Sequence, residues 1–111
     1  FGEEKVKYIF DIDGTVCYQT DGDYTMAKPI SKRIEKINKL YDEGHTIIML
    51  TARGMGRTDN NYTEASRMFF DLTKEQLNEW GVKHHALFLG KPAGDFYIDD
   101  KGVKDVDFFR D

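Results

Sequence analysis

The sequence predicts an α/β fold: a single three-layer Rossmann-like domain over residues 1–111, with a mostly parallel sheet of four or five strands, helices on both faces and a short hairpin flap. Three observations predict it. Four short apolar runs, 6–12, 46–50, 86–89 and 96–98, alternate with stretches of helical periodicity, the arrangement of strands joined by crossover helices. Each run delivers polar residues at its carboxyl end, where open parallel sheets bind ligands. A length of 111 residues suffices for one buried core and is too short for two.

The elements follow in order. The first run, Val6 to Ile12, enters FDIDGT, in which Asp11 and Asp13 project to one side while Phe10 and Ile12 take the other. Residues 14–28, GTVCYQTDGDYTMAK, hold turn chemistry, DGD, between two alternating arms, hence a small hairpin flap over the acids. In KPISKRIEKINKLYDEG, Ile30, Ile34, Ile37, Leu40 and Tyr41 recur at helical spacing, Pro29 suits the helix start and Gly44 its C-terminal cap. After the strand Thr46 to Leu50, the polar, Gly-rich stretch Gly54 to Asn61 is a loop. Thr63 to Leu72 then forms a helix, and a further one follows, signalled by a capping box of Thr73 and Gln76 with Leu72 and Leu77 as a hydrophobic staple, ending at Trp80 and Gly81. Ala86 to Leu89 and Phe96 to Ile98 complete the sheet.

Composition narrows the function classes. The chain is 40% hydrophobic and 32% charged with a net charge of -4, and it has no basic patch, which disfavours sequence-independent nucleic-acid binding. One Cys excludes an internal disulfide, and no apolar run approaches the roughly 20 residues of a membrane span, so a reducing cytoplasm is the expected location. The opening FGEEK has no signal-peptide pattern, and a chain beginning on Phe suits a trimmed fragment.

The polar strand ends are the informative feature. They are Asp11 and Asp13, Thr51 and Arg53 in IIMLTARG, Lys91 in LFLGKP, and Asp99 and Asp100 in FYIDDKG. Singly, each has an ordinary explanation: a strand running out into solvent, a cap, a loop lysine, an acidic turn. Jointly, carboxylates at two strand ends suit a hard divalent cation, magnesium, and a hydroxyl and an ammonium beside it suit a phosphoryl group. Gly14 permits close backbone approach to such a ligand.

The order DIDGT, then LTARG, then GKPAGDFYIDDKG resembles the haloacid dehalogenase superfamily of phosphatases and phosphotransferases, over roughly residues 6–104. The resemblance implies Asp11 as nucleophile and Asp13 as general acid and base, with Thr51 and Lys91 completing the catalytic set. It implies Gly14, Thr51, Ala52 and Lys91 around the phosphate. It also implies magnesium held by Asp11 and Asp13 with Asp99 or Asp100, the last two being adjacent here where many relatives separate them. The chain has little room for a cap domain and so resembles the capless branch. Its strings are most similar to small phosphatases of capsule or surface-polysaccharide synthesis, which implies a sugar phosphate as substrate, with Arg53 and Tyr18 toward the leaving group. The open site would admit a bulky substrate or be covered by another subunit of a homo-oligomer. Two alternatives remain: a phosphatase of nucleic-acid 3′ or 5′ ends, and a non-enzymatic receiver-like phosphoacceptor. Receivers, however, carry the phosphorylated Asp on a later strand than their acidic pair.

Other residues carry less. Cys17 is a lone small hydrophobe, and His45, His84 and His85 have no ligand spacing and fall at the opposite strand ends. Met68, Phe69, Phe70 and Trp80 form a packing stripe, and Phe70 with Phe108 and Phe109 marks the place for an oligomer contact.

Overall fold

The structure, a computed structural model, describes residues 4–110, so that Phe1 to Glu3 of the FGEEK opening and the final Asp111 lie outside the described residues. Strand β1 is Lys7–Phe10, helix α1 Ser31–Asp42, β2 Thr46–Thr51, α2 Tyr62–Glu79, β3 Ala86–Leu89 and α3 Asp105–Phe108. The three strands form one parallel sheet in the order β1-β2-β3, with Phe10 beside Met49 and Met49 beside Leu87.

Strand pleating sorts the residues of this register by face. Phe10, Ile47, Met49, Leu87 and Leu89 point into a core shared with Ile34 and Ile37 of α1 and Leu77 of α2. Phe108 and Phe109 close it beside β1, their rings 5.5 and 6.0 Å from that of Phe10, so the aromatic pair expected at an oligomer contact is spent on the chain's own core. The opposite face is uncovered: Ile9 and Phe88 are 61% and 53% exposed. The expected three layers therefore reduce to two, because successive right-handed crossovers to adjacent strands place α1 and α2 on the same face.

The sheet also has three strands rather than four or five. Phe96 and Ile98 are 86% and 94% exposed and pair with nothing in the sheet. Local bonds win over a ladder here. Tyr97 folds back to donate to the Pro92 carbonyl at 2.6 Å, and Asp99 accepts the N–H groups of Lys101 and Gly102 at 3.1 and 2.7 Å in a tight turn.

The helices differ from expectation in α3, which no sequence signal marked, and in α2. α1 lies where its periodicity places it and ends with Gly44 at φ +97°, a left-handed position that suits glycine. The two helices expected between 63 and 80 are one continuous helix, capped by Asn61, whose side chain accepts the Glu64 N–H at 3.0 Å. Thr73 and Gln76 are buried inside it instead of capping a second helix, because Ala65, Thr73, Gln76 and Leu77 continue one inward stripe without a break. In the flap, antiparallel arms are joined by Tyr18 N–H to the Lys28 carbonyl (2.9 Å) and Ile30 N–H to the Val16 carbonyl (2.9 Å), and the tip winds into a 3-10 turn, Tyr24–Met26. No cap domain interrupts the order of elements, and among the described residues no helix is long and apolar enough to cross a membrane.

Candidate active site

The acids sit where β1 stops. Phe10 and Ile12, 6% and 0% exposed, anchor the chain in the core, so Asp11 and Asp13 turn toward a cleft of about 330 Å³. The chain reverses at once: the N–H groups of Thr15, Val16 and Cys17 all donate to the Ile12 carbonyl at 3.0, 2.8 and 3.2 Å. Gly14 makes this turn at φ +85°, and its N–H donates to the Cys17 carbonyl at 2.8 Å. A side chain at Gly14 would meet Gln19 Nε2 at 2.7 Å.

The two carboxylates have different partners. Asp11 accepts the Ile12 N–H at 2.9 Å on Oδ1, and its Oδ2 lies 3.5 Å from Lys91 Nζ. Burial raises the Asp11 carboxyl above the ordinary carboxylate range; the Lys91 ammonium and the Ile12 N–H pull it back without cancelling the rise, and the neighbouring Asp13 adds to it. Asp13 is gripped by Arg53, with Nε to Oδ2 at 2.9 Å and Nη2 to Oδ1 at 3.0 Å, a planar two-bond pair. Arg53 is fully buried, and its remaining donors are also engaged. Nη1 reaches Thr73 Oγ1 at 3.2 Å and Gln76 Oε1 at 2.7 Å, and Nη2 lies 3.9 Å from Cys17 Sγ. The guanidinium expected to face a leaving group is thus engaged by the protein's own acceptors, while Arg53 still counts among the residues that line the cleft.

The end of β2 and the loop after β3 close the floor. Thr51 is 1% exposed, its Oγ1 accepts the Arg53 N–H at 3.1 Å, and its carbonyl accepts the Lys91 N–H at 3.2 Å, which ties the lysine loop to the strand. Ala52 lines the cleft beside it. From the flap, Gln19, Thr20 and Tyr24 form the rim, whereas Tyr18 is 59% exposed and outside the lining. Thr20 Oγ1 is buried without a hydrogen-bond partner.

Asp11, Asp13, Thr51 and Lys91 therefore come together, and Asp99 and Asp100 do not join them. Asp99 caps its own turn, and Asp100 Oδ2 lies 3.4 Å from Lys101 Nζ on the surface. Of that segment Tyr97 reaches the cleft, with Lys91 Nζ 4.4 Å from its ring centroid. As arranged, the residues do not fit a resident magnesium. Both Asp13 oxygens are engaged by Arg53, Asp11 is left as a single carboxylate, and among the described residues no group of three or more His, Cys, Asp or Glu is gathered to hold a metal.

Sequence reasoning missed Gln19, Thr20 and Tyr97 on the rim and Thr73 and Gln76 behind Arg53. The helical phase 65, 73, 76, 77 carried a signal for the last two, since two polar residues on an inward stripe require a buried polar partner. The histidines serve backbone instead: His45 Nδ1 accepts from Val6 and His85 Nδ1 from Ile47, both at 3.0 Å. A larger groove of about 720 Å³ along α1 and α3 contains none of the predicted site residues.

The chain matches no family model and no curated protein. It is similar to the crystal structure of a structural-genomics target from Vibrio cholerae, at 29% identity and a TM-score of 0.86, over 96% of this chain and 89% of that one. That likeness extends the α/β fold to a solved structure and carries no activity with it.

Proposed function

We propose that the protein is a phosphatase that hydrolyses phosphate monoesters through an aspartyl phosphate on Asp11. The observation that carries this reading is the half-buried Asp11 carboxylate at the cleft floor, 3.5 Å from the Lys91 ammonium and beside a second acid fixed by its own guanidinium. An oxygen of Asp11 attacks phosphorus as the ester P–O bond breaks, and Asp13, which must have taken up a proton from solvent for this step, gives it to the departing oxygen. Water then attacks phosphorus, Asp13 takes its proton, and the bond to Asp11 breaks, so that one difficult displacement becomes two easier ones. Lys91 and the Thr51 hydroxyl neutralise and orient the phosphoryl oxygens, with Gly14 and Ala52 at close approach.

A phosphorylated sugar is the proposed substrate class. The rim supplies Gln19, Thr20 and Tyr24 to a hydroxylated leaving group. The resemblance to surface-polysaccharide phosphatases supports the same choice. A magnesium requirement is proposed with it on the resemblance alone; Asp13, Asp99 and Asp100 are engaged elsewhere as described above, and no step of the reaction is routed through the ion.

The test is a panel of sugar phosphates, other phosphorylated metabolites and phosphorylated nucleic-acid ends, run with and without magnesium. Repeated turnover of sugar phosphates, abolished in Asp11→Asn with no loss of melting temperature, is expected. Full activity in Asp11→Asn would remove the nucleophile, and sugar phosphates left untouched while another class turns over would remove the substrate assignment.

A further inference from the structure

We propose that Gln76 is a positioning residue for the second acid: through Arg53 it holds Asp13 in the orientation that proton transfer needs, and it ties that orientation to the seating of the flap. The proposal rests on the phosphatase reading above and goes beyond it in naming what aims the acid.

Three observations support it. The Arg53 guanidinium has five N–H donors and five acceptor contacts, two on Asp13 and one each on Thr73, Gln76 and Cys17, so its plane is fixed from behind as well as in front. Gln76 is 7% exposed and uses both ends of its amide: Oε1 accepts from Arg53 at 2.7 Å, and Nε2 donates to the Tyr24 carbonyl at 2.7 Å. A carboxylate would lack the donor and an apolar chain both groups. Tyr24 completes the circuit, since its ring centroid lies 4.8 Å from the Arg53 guanidinium carbon and its hydroxyl accepts the Gly54 N–H at 3.1 Å. When the flap is seated, Arg53 is locked, and a locked Arg53 fixes the plane of the Asp13 carboxylate.

This geometry has a chemical consequence. Asp13 Oδ1 is engaged by both Arg53 and the Cys17 thiol, the latter at 3.4 Å, whereas Oδ2 gives one lone pair to Arg53 and keeps another, and a proton can pass only if that remaining position lies within about 2.6–3.2 Å of the leaving oxygen. Rotation of Arg53 would carry Asp13 away while leaving Asp11, Lys91 and Thr51 in place. Loss of Gln76 should therefore impair the step that protonates the leaving group more than the attack on phosphorus.

Leaving-group dependence reads this directly. p-Nitrophenolate departs without a proton, whereas the alkoxide of an alkyl phosphate requires one. Gln76→Met, similar in length and without polar groups, is expected to lose about tenfold more kcat on an alkyl phosphate than on p-nitrophenyl phosphate, with KM nearly unchanged; Asp13→Asn is expected to show the same selectivity more strongly. Gln76→Glu keeps the acceptor for Arg53 and loses the donor to Tyr24. It should show a smaller selective loss and serves if Gln76→Met does not fold. Equal losses on both esters in a folded variant would overturn the proposal, because a merely structural role lowers all turnover alike. Wild-type protein inactive on both esters would instead refute the phosphatase reading beneath it.

Discussion

Replacing Arg53 by Met should be among the most destabilising single changes in this protein. The Arg53 side chain is 0% exposed and that of Asp13 16%, so the substitution leaves a largely buried carboxylate without its counter-charge. Removing one member of such a pair costs about 3–5 kcal/mol. Thr73 Oγ1 and Gln76 Oε1 lose a donor as well, at about 1–3 kcal/mol for each buried group left unsatisfied. Cleft water can reach Asp13 and offset part of this, which brings the net loss to about 4 kcal/mol. A domain of this size has about 5–15 kcal/mol in total, and a loss of that order lowers the melting temperature by about 15 °C or more. Urea unfolding followed by far-UV circular dichroism measures it, with the midpoint expected about 2 M below wild type. Adding Asp13→Asn to Arg53→Met should recover part of the loss, since the stranded charge is gone. An Arg53→Met unfolding free energy within about 0.5 kcal/mol of wild type, or a double variant whose losses simply add, would refute the reasoning.

Further outcomes concern Asp11, Gly54 and Cys17. Because the folded Asp11 carboxyl binds its proton more tightly than the unfolded chain does, its contribution to stability falls as pH rises from the ordinary carboxylate range through the raised folded value and is level above it. Asp11→Asn should therefore abolish turnover yet stabilise the fold at neutral pH, a gain that shrinks in urea titrations repeated toward pH 4. Lys91→Met removes the cation that holds Asp11 down, so the acid limb of the kcat/KM profile should move to higher pH. Gly54 has φ +80°, and a Cβ there would lie 2.6 Å from Phe69 Cδ2; Gly54→Ala should cost about 2 kcal/mol or more in the same urea assay. Burial pushes the Cys17 thiol up to about 12, so alkylation by iodoacetamide should be far slower in the folded protein than in urea.

The strands that the sequence revealed are those in which apolar residues alternate through a register. Phe10, Met49 and Leu87 lie side by side in one inward row, with Met49 flanked by the other two, and their pattern survives assembly. The three-residue run Phe96 to Ile98 was too short to outweigh the turn made by Asp99 and the bond from Tyr97 to its own segment. The convergence of Asp11, Asp13, Thr51 and Lys91 was legible because strand ends in a parallel sheet fall together whatever their sequence separation. The direction of Arg53 was not legible, since charged side chains are rarely fully buried and nothing in LTARG distinguishes inward from outward. Thr73 and Gln76 misled for a related reason: threonine followed three places later by glutamine fits a helix start and a buried polar bracket equally well, and the partner that decides between them lies 20 residues away for Thr73 and 23 for Gln76.

The bonds from Arg53 to Asp13 and from Gln76 to Tyr24 join segments 40 and 52 residues apart, across α1 and β2. No excised peptide contains such a constellation ready-made, and loop-closure entropy must be overcome before any of these bonds forms. Assembly of this constellation is therefore an all-or-none property of the whole chain, acquired at the moment the core closes and surrendered with it.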